Sequence, residues 1–255
     1  MTSIARLLAG TAALMSVATA ALAQSDDNAL QQAIASPARS AAFIARDPVR
    51  HPAEELRFFG VKPDAKLVEI WPGGGYWTEI LMPYLRGHGH YVAALPPGKQ
   101  AASFRTRFPK AETTELGDSH YTIAPRGSAD VVVTFRNLHD WMATNEASQM
   151  LAAFFVALKP GGVLGVEDHR ARPDRPQDPH AVSGYVRQDY AIALVQQAGF
   201  VFVGSSEINA NPKDTTDWPK GVWTLPPTFA LGEKDHARYA AVGEADNFVL
   251  LFRKP

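Results

Sequence analysis

The stretch KLVEIWPGGG, residues 66–75, joins a short apolar run to a turn that contains three consecutive glycines. The apolar run predicts a buried strand, and a helical pattern follows it at Tyr76–Leu85. Glycines let the backbone approach a ligand closely, and a helix that begins after such a turn offers unpaired N–H groups. Ligands of open α/β sheets bind beyond the carboxyl ends of the strands, so this turn is the first candidate for a binding site.

Strand and helix patterns alternate along the rest of the chain. Further strands are predicted at Tyr91–Leu95, Glu112–Leu116, Asp130–Phe135, Val163–Glu167, Phe200–Ile208 and Asn247–Phe252. Further helices are predicted at Ser36–Arg46, Pro52–Phe59, Lys99–Phe108, Glu146–Leu158 and Tyr185–Gln197. Strands separated by helices form right-handed crossover units, which predicts a doubly wound, mostly parallel seven-strand α/β sheet.

The composition excludes several classes of function. The 255 residues include 25 Lys and Arg against 26 Asp and Glu, so the formal net charge of -1 gives no electrostatic basis for nucleic-acid binding. The sequence has no cysteine, which excludes disulfides, thiolate metal sites and a cysteine nucleophile. A hydrophobic fraction of 46% is that of an ordinary globular protein.

Residues Met1–Ala23 have the three parts of a secretory signal peptide. Arg6 charges the first part, Leu7–Leu22 form the apolar part, and Ala21–Ala23 form a small-x-small cleavage site. We therefore expect an exported, periplasmic bacterial protein with no stable membrane insertion after cleavage. The alternative is an uncleaved N-terminal anchor. The mature chain, residues 24–255, is expected to form one domain, with residues 24–60 as a helical cover.

Several motifs together carry a family resemblance. Residues 68–75 resemble motif I of the class I S-adenosylmethionine-dependent methyltransferases, in which an acidic residue precedes alternating glycines. Gly117–Asp118 looks like the acidic position after the third strand of that family, and Phe135–Trp141 looks like the segment after the fourth. Leu158–Gly162 is typical of these enzymes, and the last two strands are similar to their terminal antiparallel hairpin. The resemblance covers Pro52–Pro255 and is strongest to exported bacterial "predicted methyltransferases", which carry similar EINANPKD and GVWTLPP segments.

The resemblance implies a Rossmann-like fold and S-adenosylmethionine as cofactor. It places seven residues beside that cofactor: Glu69, Trp71, Gly73, Gly74, Gly75, Asp118 and Asn137. In this scheme the glycine turn would cradle the carboxypropyl end, Glu69 would organise the turn, and Asp118 would contact the adenine.

Two positions depart from the family pattern. Trp71 stands where the first glycine of motif I is expected, so its side chain must turn into the core or fill part of the pocket. The second strand ends in Ala94-Leu95-Pro96-Pro97, without the carboxylate that the family uses for the ribose hydroxyls. An unsatisfied buried polar group costs about 1–3 kcal/mol.

Polar side chains follow the fourth and fifth strands. His139 and Asp140 come after the fourth strand, and Glu167–His169 end the fifth. A histidine among carboxylates is suited to general-base work, so His139 is the candidate catalytic residue. Two alternatives stay open: ligation of a divalent metal by His139, Asp168 and His169, and loop caps in which the carboxylates pair with Arg170 or Arg172. We assign no metal site.

Two hypotheses about function follow. The first is transfer of a methyl group from S-adenosylmethionine to a small-molecule acceptor. The second is a non-catalytic periplasmic binding or interaction protein on the same fold, with altered or lost cofactor binding. A hydrolase is disfavoured because the sequence has neither a Gly-x-Ser-x-Gly elbow nor a metalloprotease helix motif.

Overall fold

A computed structural model describes residues 24–255, so the expected signal peptide lies outside the described residues. The strands are β1 (Lys66–Ile70), β2 (His90–Leu95), β3 (Glu112–Glu115), β4 (Ala129–Phe135), β5 (Leu158–His169), β6 (Val201–Ser206), β7 (Pro219–Val222) and β8 (Asn247–Arg253). Within the described part of the chain, seven of them form one sheet in the order β3-β2-β1-β4-β5-β8-β6.

Helices lie between most of these strands. They are α1 (24–34), α2 (Ala41–Ile44), α3 (Asp47–Arg50), α4 (Pro52–Phe58), α5 (Thr78–Tyr84), α6 (Lys99–Arg107), α7 (Leu138–Ala143), α8 (Ala147–Ala157), α9 (Gln188–Gln197) and α10 (His236–Val242). Between residues 24 and 255, no helix combines the length and the apolar character that a membrane span requires.

The direction of the strands confirms the predicted topology. The strands from β3 to β5 pair in parallel, whereas β8 runs antiparallel to both β5 and β6. The register of the antiparallel pair places Glu167 opposite Val249 and Asp168 opposite Phe248. The sheet is therefore doubly wound and mostly parallel, with the expected antiparallel strands at its C-terminal edge.

The central strands are buried on both faces. Leu67 of β1 and Val131 of β4 belong to the core on one face, and Val68 and Val132 belong to the core on the other. Successive side chains of a strand point to opposite faces, which explains the unbroken apolar runs. Each fully buried side chain of this kind contributes about 1.5–3 kcal/mol through removal from water.

The fifth strand begins at Leu158, earlier than the predicted Val163. The N–H of Gly161 donates to the carbonyl of Lys254, and the N–H of Lys254 donates to the carbonyl of Gly162, both at 2.9 Å. Gly161 takes a φ of +79° within this pairing. Leu158 also pairs with Ala129 of β4, so contacts with β4 and with the residue after β8 draw a segment with turn propensity into the sheet.

The N-terminal helices are part of the same core. Leu30 of α1, Leu56 of α4 and Phe59 belong to the same cluster as Leu67. A Cβ at Gly165 of β5 would lie 2.6 Å from the ring of Phe59, so glycine is required for this contact. The close approach fixes α4 against the sheet.

The helix predicted from Ser36 toward Arg46 is wrong. Residues 36–40 are not helical, and α2 and α3 are single turns. The buried guanidinium of Arg39 donates to the carbonyl of Ile34 and to Asp47, in both cases at 2.7 Å. These bonds between residues outside one helical turn hold the segment in a non-helical path.

The start of α9 also differs from the prediction, because residues 185–187 are extended. The N–H of Val186 donates to the carbonyl of His169 at 2.8 Å, and the N–H of Ala171 donates to the carbonyl of Val186 at the same distance. This segment therefore runs beside the end of β5, at the edge where the candidate site lies.

Candidate functional site

The carboxyl ends of β1, β4 and β5 open into a cavity of about 540 Å³, which we call the central cavity. Trp71 follows β1, Asn137 follows β4 and His169 ends β5, and all three line it. Residues from the α2–α3 region and from the segments 222–228 and 244–245 complete its wall. This is the position expected for a ligand of an open α/β sheet.

A second cavity of about 630 Å³ lies toward the ends of β2 and β3. Asp118 and Gly117, which follow β3, line this lateral cavity. Trp71, Gly73 and Asn137 line both cavities, so the two spaces adjoin along the edge of the sheet. A long ligand can therefore extend across the β1 turn.

The β1 turn depends on left-handed backbone conformations. Trp71, Gly73 and Gly75 have φ values of +45°, +56° and +89°. A Cβ at Gly75 would lie 2.4 Å from the ring of Phe108, whereas a Cβ at Gly73 would meet open space. Gly75 therefore serves the packing of the turn, while Gly73 and Gly74 face the cavities.

The indole of Trp71 turns toward β3 and packs against the core. Its Nε1 donates to the carbonyl of Leu116 at 3.0 Å, and its ring meets the ring of Trp141 edge-to-face at 5.8 Å. Gly117 is part of the same packing, because a Cβ there would lie 3.6 Å from Trp71. The indole thus forms part of the wall of both cavities.

Asn137 holds the β1 turn in place. Its Nδ2 donates to the carbonyl of Ile70 at 3.0 Å and to Oγ1 of Thr134 at 3.1 Å. Asn137 was expected to contact the cofactor, but its amide nitrogen is hydrogen-bonded to the end of β1. Asn137 therefore influences a ligand at the turn by holding β1 in position.

Glu69 is a fully buried carboxyl group at the end of β1. Burial raises the pKa of Glu69 to about 7, although hydrogen bonds from Tyr91 and Thr78 lower it. Both of these bonds are accepted by Oε2, at 2.6 Å and 2.9 Å. Within residues 24–255, Oε1 has no hydrogen-bond partner, and Glu69 lines the central cavity. Oε1 is therefore an unsatisfied buried acceptor beside the central cavity.

His139 and Asp168 form a buried dyad. The Oδ1 atom of Asp168 lies 2.8 Å from Nδ1 of His139, and Oδ2 accepts the backbone N–H of His139 at 2.9 Å. Burial alone would lower the pKa of His139, but the Asp168 carboxylate raises it above its ordinary value of 6.5. With Nδ1 held by Asp168, Nε2 is the ring atom available for proton transfer.

His169 is a different kind of histidine. Burial lowers its pKa to about 3, and its Nδ1 lies 2.7 Å from Oδ1 of Asn247. The structure brings His139, Asp168 and His169 together, with one ligand atom from each within 4.8 Å of the others. Asp168 accepts three hydrogen bonds from the two histidines, which favours the dyad over metal ligation.

Three arginines converge on one carboxylate at the wall of the central cavity. Arg46 donates to Glu244 at 2.6 Å, Arg50 at 3.1 Å and Arg136 at 3.0 Å. All four residues line the cavity. Sequence reasoning missed this cluster because its members lie up to 198 residues apart and no motif joins them.

A further carboxyl pair lies behind this cluster. Asn209 donates through Nδ2 to Oε2 of Glu55 at 2.6 Å and to Oε1 of Glu167 at 3.1 Å. Burial and the Glu167 charge raise the pKa of Glu55 well above its ordinary value. Glu167 pairs with Arg136, at 3.7 Å, which decides against the alternative pairing with Arg170 or Arg172.

No family model matches this sequence, and no curated protein matches it. Solved structures do match. A SAM-dependent methyltransferase from Aquifex aeolicus has a TM-score of 0.56 at 14% identity, over 83% of this chain and 93% of the other. The cyclase SpnF has a TM-score of 0.54 at 16% identity, over 86% and 83%. Phosphoethanolamine N-methyltransferase 2 of Haemonchus contortus, in complex with S-adenosyl-L-methionine, has a TM-score of 0.54 at 11% identity, over 89% of this chain and 60% of the other.

The chain has the class I methyltransferase fold. Such low identities establish architecture only, and a cyclase is among the similar structures. Within this methyltransferase fold, six of the seven expected cofactor residues line the two adjoining cavities: Glu69, Trp71, Gly73, Gly74, Asp118 and Asn137. The candidate base His139 lines the central one.

The wall opposite the sheet comes from the C-terminal part of the methyltransferase fold. Trp223 and Pro226 line the central cavity, and the ring of Trp223 lies 5.9 Å from that of His139. Trp218 instead donates through Nε1 to Asp214 at 2.7 Å and meets the ring of Tyr239 edge-to-face. Trp218 therefore anchors its loop, whereas Trp223 faces the candidate site.

Proposed function

We propose that this protein transfers a methyl group from S-adenosylmethionine to a small-molecule acceptor. The observation that carries the proposal is the unpartnered Oε1 of Glu69 beside the glycine turn of a class I methyltransferase fold. A buried acceptor atom without a partner is costly unless a ligand supplies a donor.

The residues present fit this cofactor. Gly73 and Gly74 leave space at the turn, and the two adjoining cavities offer room for a nucleoside on one side and an amino acid on the other. The ammonium group of the cofactor is a suitable donor for Glu69. No carboxylate follows β2, but the amide of Gln100 lines both cavities and can bind a hydroxyl group.

The acceptor would bind in the central cavity. S-adenosylmethionine supplies an electrophilic methyl carbon on a sulfonium, and the group that remains is S-adenosylhomocysteine. His139 accepts at Nε2 the proton that an acceptor hydroxyl or amine loses, while Asp168 holds the ring and stabilises its positive charge. Trp223 and Pro226 form part of the wall on this side of the cavity.

Titration calorimetry with S-adenosylmethionine and S-adenosylhomocysteine tests cofactor binding. We expect micromolar binding to the mature chain. Glu69→Gln is expected to weaken it about tenfold or more, because an amide nitrogen then faces the ligand's donor. Glu233→Gln, at an exposed position, is the matched control and leaves binding unchanged. Absence of heat from a folded sample at millimolar ligand contradicts the proposal and favours a binding protein with another ligand.

The proposed place of action is the periplasm, on the basis of the signal-like residues 1–23. Expression of the full chain in a bacterial host and N-terminal sequencing of the protein from the periplasmic fraction test this. A new N-terminus at Gln24 supports export, and an intact Met1 in the cytoplasmic fraction contradicts it.

A further inference from the structure

We infer that the methyl acceptor is a small carboxylic acid, whose carboxylate is bound by Arg46, Arg50 and Arg136 in the central cavity. This inference rests on the proposed function, because the word acceptor presumes methyl transfer. The anion site itself stands on the contacts of the arginines and can be tested without the cofactor.

The number of charges in the arginine cluster supports this inference. Three guanidinium groups lie within hydrogen-bond distance of the single carboxylate of Glu244. Their side chains are 20%, 6% and 15% exposed, so water screens them weakly. Glu167 supplies a second carboxylate, 3.7 Å from Arg136. The three guanidinium groups therefore outnumber the two carboxylates that contact them, and one further carboxylate would balance the cluster.

A donor atom of Arg46 that has no partner also supports the inference. Within residues 24–255, the Nη2 atom of Arg46 is buried and has no hydrogen-bond partner. The guanidinium of Arg50 is oriented by the ring of Tyr76, with 4.5 Å between its Cζ and the ring centroid. A planar carboxylate matches the fork of donors that such guanidinium groups present.

The position of the three arginines in the central cavity supports the inference as well. The arginines line the central cavity together with His139 and Trp223, whereas the lateral cavity offers the space for a nucleoside. An anion on this wall therefore shares a cavity with the candidate base. The indole of Trp223 is 37% exposed and provides a surface for a flat body that carries the carboxylate.

Benzoate is the probe for this site, and neutral benzamide is its matched control. Binding of each to the mature chain is measured by titration calorimetry without cofactor. We expect millimolar binding of benzoate and at least tenfold weaker binding of benzamide. Equal binding of the two compounds overturns the inference. Inorganic phosphate in place of benzoate tests whether the arginine site prefers a carboxylate. Tighter binding of phosphate than of benzoate overturns the assignment of a carboxylate ligand.

Two variants of opposite sign separate a ligand site from a merely structural cluster. Arg46→Gln is expected to weaken benzoate binding about tenfold, and Glu244→Gln is expected to strengthen it severalfold by freeing three donors. Arg105→Gln, which changes an exposed arginine of α6, is the control with no effect. A structural cluster predicts loss of stability in both cavity variants without opposite changes of affinity, and that result overturns the inference.

A competition experiment on the unaltered protein does not depend on the folding of any variant. If S-adenosylhomocysteine and benzoate bind together, the anion site belongs to the acceptor. If they exclude one another, the arginines hold the cofactor's carboxylate, which overturns the inference. If benzoate binds in the arginine-dependent manner and S-adenosylmethionine does not bind, the anion site stands and the proposed methyl transfer fails.

Discussion

Asp168 holds His139 at two points, through a ring contact of 2.8 Å and a backbone hydrogen bond of 2.9 Å. The carboxylate therefore fixes the orientation of the imidazole and raises its pKa at the same time. In the proposed reaction His139 must be neutral to accept a proton, so we expect the rate to increase as the pH rises through the raised pKa of His139.

The first prediction concerns Asp168→Asn, which removes the charge and replaces one of the two acceptor oxygens with an NH2 group. We expect the pKa of His139 to fall by about one unit or more, as measured by NMR titration of its ring protons. Asp140→Asn is the control and should lower it less, because the Oδ1 atom of Asp140 is 3.5 Å from Nε2 and lies on a half-exposed side chain. A shift in Asp140→Asn as large as that in Asp168→Asn would show that the dyad does not govern this titration.

The second prediction concerns the stability of Glu69→Gln. The pKa of Glu69 is raised from 4.5 to about 7 by burial in the folded chain, so its contribution to stability is complete below pH 4.5 and is lost as the pH rises through about 7. The contribution of Glu69 to the free energy of unfolding differs by about 3 kcal/mol between these two pH ranges. We expect the variant to lose this part of the pH dependence, in denaturant unfolding between pH 5 and 8. Identical pH profiles of variant and wild type would contradict the raised pKa.

The third prediction concerns the packing of the β1 turn. Gly75→Ala adds a methyl group 2.4 Å from the ring of Phe108 at a φ of +89°, and we expect a loss of about 2–4 kcal/mol from strain and overpacking. Gly87→Ala, at a φ of +98° with open space around it, isolates the backbone part and should cost less. Chemical denaturation measures both, and equal losses would exclude a role of Phe108.

The fourth prediction uses tryptophan fluorescence. Trp71 lines both cavities and Trp223 lines only the central one of the two, so a nucleoside in the lateral cavity should quench Trp71. We expect S-adenosylhomocysteine to quench the fluorescence of the unaltered protein and of Trp223→Phe. Most of this quenching should be lost in Trp71→Phe. Full quenching in Trp71→Phe would place the nucleoside elsewhere.

The sheet could be predicted because its signals are local. The apolar runs of β1 and β4, the glycine turn and the order of strands and helices follow from short stretches of sequence. The boundaries that were wrong depend on distant partners. Residues 36–40 follow the bonds of Arg39 to Ile34 and Asp47. The start of β5 follows the pairing of Leu158 with β4 and the bonds of Gly161 and Gly162 to Lys254.

The candidate site was predictable to the extent that it follows strand ends. Glu69 lies within a predicted strand, Asp168 directly follows one and His139 comes shortly after another, so topology alone brings them to one edge. The arginine cluster lacks such a signal. Arg136 follows β4 and Glu244 shortly precedes β8, but Arg46 comes from the α2–α3 region, and nothing in the local sequence indicates that these residues meet.

Glu244 binds Arg46 and Arg136, which precede it by many residues, and in the sequence it follows every strand of the sheet except β8. The wall of the central cavity is therefore complete only after the strands from β1 to β6 have been synthesised. A nascent chain that ends before Glu244 has no closed binding site, so ligand capture in the cavity must follow, and cannot guide, the assembly of these earlier strands.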